Sequence, residues 1–238
     1  MRHIDVIYAE LREEQKKLDM IPLWDREALL RQSQRVDELI VEYQRALLET
    51  QSRELHKAEW EVRPVSLDEA RVVVENHHYA RGAANTAVAT HGLFRRNEWF
   101  GARCYGVAWW IPPTREAGGA VWCNPDEVLA LSRLVLVPEA PRNAATFLLM
   151  RSVRMLDQRW RCLLTYADTW RGHTGHIYRA AGWEYLGLTQ PKAIFTVDGR
   201  LTAIKAGPRT RTHAEMHAMG AKLVGRFPKH RFRYVRAG

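Results

Sequence analysis

VLALSRLVLVPEAPRNAATFLLMRSVRMLDQRWRCLLTYAD, residues 128–168, decides the fold. Its opening, VLALSRLVLVP, is an apolar run broken only by Ser132 and Arg133, as expected of a strand buried on both faces. Pro138 ends that run and a short loop follows. Phe147, Leu148, Met150, Val153 and Leu156 then recur at the spacing of an amphipathic helix. RCLLTYADTW is a second strand, ending at Asp168. Strand, loop, helix and strand in this order form an arrangement of the βαβ kind.

Downstream, RGHTGH reads as a loop, IYRAAGW as a helix stopped by Gly182, and WEYLGLT with AIFTVDG as a last strand pair. Upstream, WFGARCYGVAWWIPP is the clearer of two strand-like stretches, rich in aromatic and β-branched residues and closed by a double proline. Before it, VSLDEARVVVENHHYARG reads as a helix opened by Ser66, with Glu69 at the capping-box distance, and ending near Gly82. From Trp24 to about Trp60 there is neither Gly nor Pro, and the stretch reads as one long helix with an apolar stripe of Leu29, Val36, Ile40, Tyr43 and Leu47. That stripe must be covered, by the following domain or by a second copy in a homodimer. The pattern changes at Arg63-Pro64. We therefore expect a helical extension over 1–62, a catalytic domain over 63–204 and a basic segment over 205–238 that packs on the domain or extends it.

Charge follows the same division. Residues 1–62 hold 10 Lys/Arg against 14 Asp/Glu, residues 63–204 hold 17 against 12, and residues 205–238 hold 9 against 1, giving −4, +5 and +8. A basic end suits a phosphate backbone, where displaced counterions supply affinity, and equally suits a solvated tail. Arg209, Arg211, Lys222, Arg226, Lys229, Arg231 and Arg233 are the candidate contacts to such a backbone. Cys104, Cys123 and Cys162 are odd in number and lack a CxxC spacing, so they suggest neither a disulfide framework nor a thiolate zinc site. The charged start has no apolar h-region and no apolar run approaches the ~20 residues of a membrane span. A cytoplasmic protein without membrane attachment is expected.

The order LSRLVLVP, loop, helix, LLTYAD and HIYRAAGWEYLG resembles the core of the GNAT acyltransferase superfamily. The resemblance implies an α/β (α+β) fold with a mixed, mainly antiparallel central sheet flanked by helices, here with a long N-terminal helix added. Tyr178, Gly182 and Trp183 stand at its tyrosine–glycine–aromatic motif. A loop entering a helix N-terminus offers free amides and a positive dipole end to a pyrophosphate. Arg142, Asn143, Ala144, Ala145 and Thr146 occupy that place, with Arg133 in the preceding strand as a further cofactor contact. PRNAATF lacks the glycines usual there, which argues against ordinary acetyl-CoA use.

NHHYARG, LSRLVL, YADTWRGHTGHIYRAAGWEYLG and PKHRFRYV together resemble the Mom family over roughly Val65 to Val235. That resemblance implies transfer of a carbamoylmethyl group to the exocyclic amino group of adenine in DNA, protecting phage DNA from restriction inside the host cell. It also implies a metal, with iron the candidate. By motif position it implies catalytic roles for His78, Tyr79, Asp168 and Tyr178, and metal ligation by His78, Tyr79 and Asp168. Ala80 stands where a small polar residue is expected. The donor stays open between an acyl-CoA and an aminoacyl-tRNA, so tRNA is a second candidate partner. The competing reading is an acetyl-CoA-dependent N-acetyltransferase acting on a protein or a small amine.

Taken singly, His78 suits a base or a ligand, or a helix-end dipole contact. Asp168 closes a strand, beyond whose carboxyl end ligands commonly bind in α/β sheets. Tyr178 suits a proton donor or a half-buried core ring. Arg133 sits within an apolar strand and needs a carboxylate or phosphate partner. His173 and His176 read as turn residues. Of the nine tryptophans, Trp109, Trp110, Trp122 and Trp170 lie near the expected cleft, where one could stack on an adenine turned out of the duplex.

Overall fold

A computed structural model describes residues 2–83, 85–96, 103–119, 121–198, 200–202, 204–206 and 209–236. The chain forms two compact units, Met1–Glu59 with Val137–Ala144, and Trp60–Leu136 with Ala145–Gly238.

In the first unit, helices α1 (Ile4–Met20) and α2 (Arg26–Ser52) pack together. Ile4 and Ile7 meet Tyr43, Ala46 and Leu47, while Leu11 meets Val36, Leu39 and Ile40, so the helices run antiparallel. The stripe that the sequence left to a neighbouring domain or to a second copy is covered by α1. Ile4, Ile7 and Leu11 carry the required spacing of three and four, but α1 is so charged that its short stripe does not stand out. Helix α2 starts where Asp25 accepts the Ala28 amide and stops at Ser52, short of the expected end near Trp60. Beyond it, the Arg142 amide donates to the Arg53 carbonyl at 3.0 Å and the Leu55 amide to the Arg142 carbonyl at 3.1 Å. The loop before the candidate pyrophosphate helix is thereby tied to the end of the extension.

The second unit is built on β1 (Trp60–Pro64), β2 (Ala89–Arg95), β3 (Cys104–Ile111), β4 (Val128–Leu136), β5 (Cys162–Asp168) and β6 (Glu184–Leu188). Helices α3 (Leu67–His77), α4 (Arg115–Gly119), α5 (Ala144–Met155) and α6 (His176–Ala180) lie between them in sequence. A smaller three-stranded sheet joins β7 (Lys192–Val197), β8 (Arg200–Thr202) and β11 (Lys222–Phe227); β9 (Lys205–Ala206) pairs with β10 (Arg209–Thr210). Helix α7 (His213–Ala218) sets Met216 against Phe195 of the smaller sheet. The last strand, β12 (Lys229–Val235), returns to the main sheet, whose order is β1-β2-β3-β4-β5-β12-β6.

Only β4 and β5 run parallel; every other neighbouring pair in the main sheet is antiparallel. This mixed, mainly antiparallel sheet is the expected fold. WEYLGLT and AIFTVDG do form strands, but they do not pair with each other. β6 joins β12, while β7 joins β8 and β11, because the basic C-terminal strand takes the place beside β6. The Ser66–Glu69 capping box is present, and α3 ends at His77, five residues before Gly82.

Cys123 and Cys162 are joined as a disulfide, with Cα atoms 6.4 Å apart, where the sequence had suggested no framework. The two lie 39 positions apart, so no local spacing announced the pair. No helix among the described residues is long and apolar enough to cross a membrane.

A buried polar cluster ties α5 to the sheet. The Ser152 hydroxyl lies 2.7 Å from the His91 Nδ1 and accepts the Trp110 indole N–H at 2.7 Å. Burial pushes His91 down to about 4, from an ordinary value near 6.5. The folded chain then refuses a proton that the unfolded chain accepts below pH 6.5. Stability present at neutral pH is lost as the pH falls from about 6.5 towards 4, by ~1.4 kcal/mol per pH unit for this group. We expect urea denaturation at pH 5.5 to give a lower unfolding free energy than at pH 7. Equal values at the two pH values would contradict it.

Candidate active site

β4 and β5 pair only from Val128/Cys162 to Leu131/Thr165. Past that point they part, and a cleft of about 390 Å³ opens between them. The separation has a local cause in β4. Trp109 faces Arg133 and Trp110 faces Leu131, so Ser132 is the extra residue of a β-bulge. Such bulges bend a strand and re-aim side chains. Ser132, Leu134, Val135 and Leu136 line one wall; Thr165, Tyr166 and Asp168 line the other. His77, His78 and Tyr79, which follow from the end of α3, join Arg171, His173 and Tyr178 around the opening.

Asp168 is the centre of the polar contacts. Its Oδ2 accepts the Tyr79 hydroxyl at 3.0 Å and the Lys229 ammonium at 3.0 Å. Its Oδ1 is buried and has no hydrogen-bond partner among the described residues. Burial, and next the Asp168 charge, push the Tyr79 phenol well above its ordinary range, so Tyr79 remains a proton-bearing donor. The Tyr79 ring stacks on His78 with centroids 4.2 Å apart, and the Arg171 guanidinium lies 4.9 Å from it.

His78 caps α3 in an extended conformation, and its Nδ1 accepts the Ala80 amide at 3.0 Å. That bond fixes the tautomer and leaves Nε2–H as the ring's remaining polar group. Burial first, then Arg133, hold its pKa at about 4. At neutral pH His78 is thus a hydrogen-bond donor rather than a base. Arg133 has no carboxylate partner among the described residues. It donates to the Gly82 carbonyl at 3.0 Å and to Ser132 through its carbonyl at 2.7 Å and hydroxyl at 3.2 Å. Tyr178 packs on Phe232 and Trp183 and meets the Thr165 hydroxyl; burial pushes its phenol up.

The structure thus brings His78, Tyr79, Asp168 and Tyr178 to one cleft, and adds Arg171, His173 and Lys229. Lys229 had been expected on DNA; its strand register places it opposite Asp168. Arg233 is paired with Glu184 and also donates to the Val121 carbonyl, and Arg231 reaches the Leu186 carbonyl. Lys222 and Arg226 are exposed on β11 and Arg211 is half-buried, while the Arg209 side chain lies outside the described residues. Of the pyrophosphate candidates, Arg142, Asn143 and Ala144, the first residue of α5, belong to the first unit, whereas Ala145 and Thr146, also in the first turn of α5, belong to the second. Trp109 and Trp110 are fully buried and cannot stack on a base. Trp122 is 73% exposed, and Trp170 is half-buried beneath the Arg171 guanidinium.

In this arrangement the three side chains bond to protein groups rather than converge on one point: the His78 Nδ1 accepts the Ala80 amide, and Asp168 Oδ2 is shared by the Tyr79 phenol and the Lys229 ammonium. Arg133, Arg171 and Lys229 surround the position with positive charge, which disfavours a cation. Among the described residues, no group of three or more His, Cys, Asp or Glu could hold a metal ion. The ligand set of His78, Tyr79 and Asp168, and with it the iron, is therefore not carried forward.

The model of the Mom protein family matches residues 59–237. The chain belongs to the Mom protein family. Methylcarbamoylase mom of Escherichia phage Mu is 24% identical over 208 residues, covering 83% of this chain and 81% of that protein. Among solved structures, Arabidopsis thaliana NAA60 in complex with acetyl-CoA superposes with a TM-score of 0.50 at 10% identity, covering 74% of this chain and 99% of that one. The latter likeness is one of fold.

Proposed function

We propose that this chain transfers a carbamoylmethyl group, or a closely related acyl-derived group, to the exocyclic amine of adenine in double-stranded DNA. The observation that carries the reading is Asp168, which lines a cleft otherwise rich in donors and cations and has a buried, unpartnered Oδ1. Family membership supports adenine as the amine; the fold supports an acyl-CoA where the transferred group is an acyl group, whereas a carbamoylmethyl group joins through its methylene carbon and needs a donor that carries its leaving group there.

Adenine's amine is a weak nucleophile, because its lone pair is delocalised into the ring. Attack therefore needs close positioning and a place for the proton that leaves. The amine is also paired within the duplex, so the base must turn out of the helix before it can enter the cleft. Asp168 Oδ1 accepts an N–H and so aligns the nitrogen. As nitrogen bonds to the donor carbon, the bond to the leaving group breaks. The nitrogen's proton passes to Asp168, and Tyr178, held protonated by burial, gives its proton to the leaving group. His78 Nε2–H and Arg133 supply positive potential for charge that develops on the donor. Protection of phage DNA from restriction in the host cell would follow from the modified base.

Nucleoside mass spectrometry of plasmid DNA from cells expressing the chain tests the reading. A modified adenine is expected; its mass identifies the group transferred. Folded chain with unmodified adenine, together with acetylation of a protein or polyamine, would replace this reading with that of an N-acetyltransferase.

A further inference from the structure

Lys229 was grouped with the basic C-terminal residues, yet its contacts are those of a residue held in place. It opens β12, directly opposite Asp168 in register. Its backbone is fastened on both sides to Thr189: its amide donates to the Thr189 hydroxyl at 2.9 Å, and its carbonyl accepts the Thr189 amide at 2.9 Å. The preceding Pro228 carbonyl accepts the Thr169 hydroxyl, one residue beyond Asp168, at 2.6 Å. A lysine that only touches phosphate needs no such anchorage, since a point charge on a flexible stem suffices.

The ammonium and the Tyr79 hydroxyl converge on one oxygen of Asp168, from β12 and from the segment after α3. The other oxygen is left buried and without a partner. A carboxylate with one free oxygen could rotate and present either; two donors fixed to Oδ2 remove that freedom. We infer that Lys229 is a positioning residue, which with Tyr79 locks the Asp168 carboxylate so that Oδ1 alone faces the amine to be modified. The inference rests on the adenine-modification reading for the identity of that amine, but not for the contact itself.

The test compares the full chain with Lys229→Met and Lys229→Arg. Three quantities are measured: modified adenine per unit time in plasmid DNA, affinity for duplex DNA over a range of salt, and the thermal midpoint. A positioning role predicts that K229M lowers modification 30-fold or more. Duplex affinity should stay within twofold, with an unchanged salt slope and a midpoint within a few degrees of the parent. K229R, which keeps the charge and donates again to Oδ2, should recover at least a tenth of the parent rate.

Weaker duplex binding with a salt slope lower by about one would instead make Lys229 a phosphate contact. A midpoint lowered by more than 10 °C would make it a structural ion pair. A modification rate within twofold of the parent in K229M would leave it with no role in the reaction. Each of these three overturns the inference. If the parent chain itself leaves adenine unmodified, the functional reading fails first and is recognised separately.

Discussion

Asp168→Asn is expected to abolish adenine modification to within about one part in 10² to 10⁴ of the parent rate, the range lost with a positioned acid–base group, while the chain stays folded and still binds duplex. The isosteric amide preserves shape but not the pattern of donors and acceptors. Its oxygen must take the Oδ2 position, because Tyr79 and Lys229 both donate there. The NH2 group then occupies the Oδ1 position and points a donor at the incoming amine. A donor facing a donor cannot align the nitrogen, and an amide cannot take its proton. The Lys229 ammonium loses its counter-charge but is 39% exposed, so water can solvate it and the cost to folding stays small. Nucleoside mass spectrometry after equal expression, with a thermal midpoint for folding and a duplex-binding isotherm, separates these effects. Modification at the parent level in D168N would remove Asp168 from the reaction, and with it the chemistry assigned to the cleft.

The sequence made the parallel β4–α5–β5 unit legible because its periodicities are strong: an apolar run, a helical stripe and another apolar run. It also placed Asp168 at a strand end and Tyr178 in the following helix, since both positions follow from local pattern. Two features depended on pairing between distant segments and were not legible. The bulge at Ser132, which opens the cleft, appears only when β4 is laid against β3. The contact of Lys229 with Asp168 requires β12 to sit between β5 and β6, although the chain has already left the main sheet for β7–β11. Net charge alone does not show that, within the +8 run, Lys229, Arg231 and Arg233 are half-buried and bonded to Asp168, the Leu186 carbonyl and Glu184. The His78 tautomer likewise depends on the Ala80 amide, two residues on, and so on the turn that follows α3.

Gly175→Ala is expected to destabilise the fold by about 2–4 kcal/mol, adding a left-handed backbone penalty of ~1 kcal/mol to an overpacking cost of ~1–3 kcal/mol. Gly175 caps α6 with φ +74°. A Cβ there would lie 2.2 Å from both Cε2 and Cζ of Phe232. The ring has nowhere to retreat: it is fully buried and packs on Tyr178 and Tyr185 at centroid distances of 5.3 and 5.2 Å. Moving Phe232 therefore moves Tyr178, and modification should fall by more than the loss of folded protein explains. Chemical denaturation measures the first effect, and the modification rate per folded molecule the second. A second substitution isolates the cause. Phe232→Leu shortens the side chain that the new methyl strikes, so G175A/F232L should be less destabilised than the sum of the two single changes, a coupling expected only of residues in contact. Additive losses, or a G175A chain within 1 kcal/mol of the parent, would show that the glycine is not needed for the close approach of α6 to β12 that holds Tyr178 at the cleft.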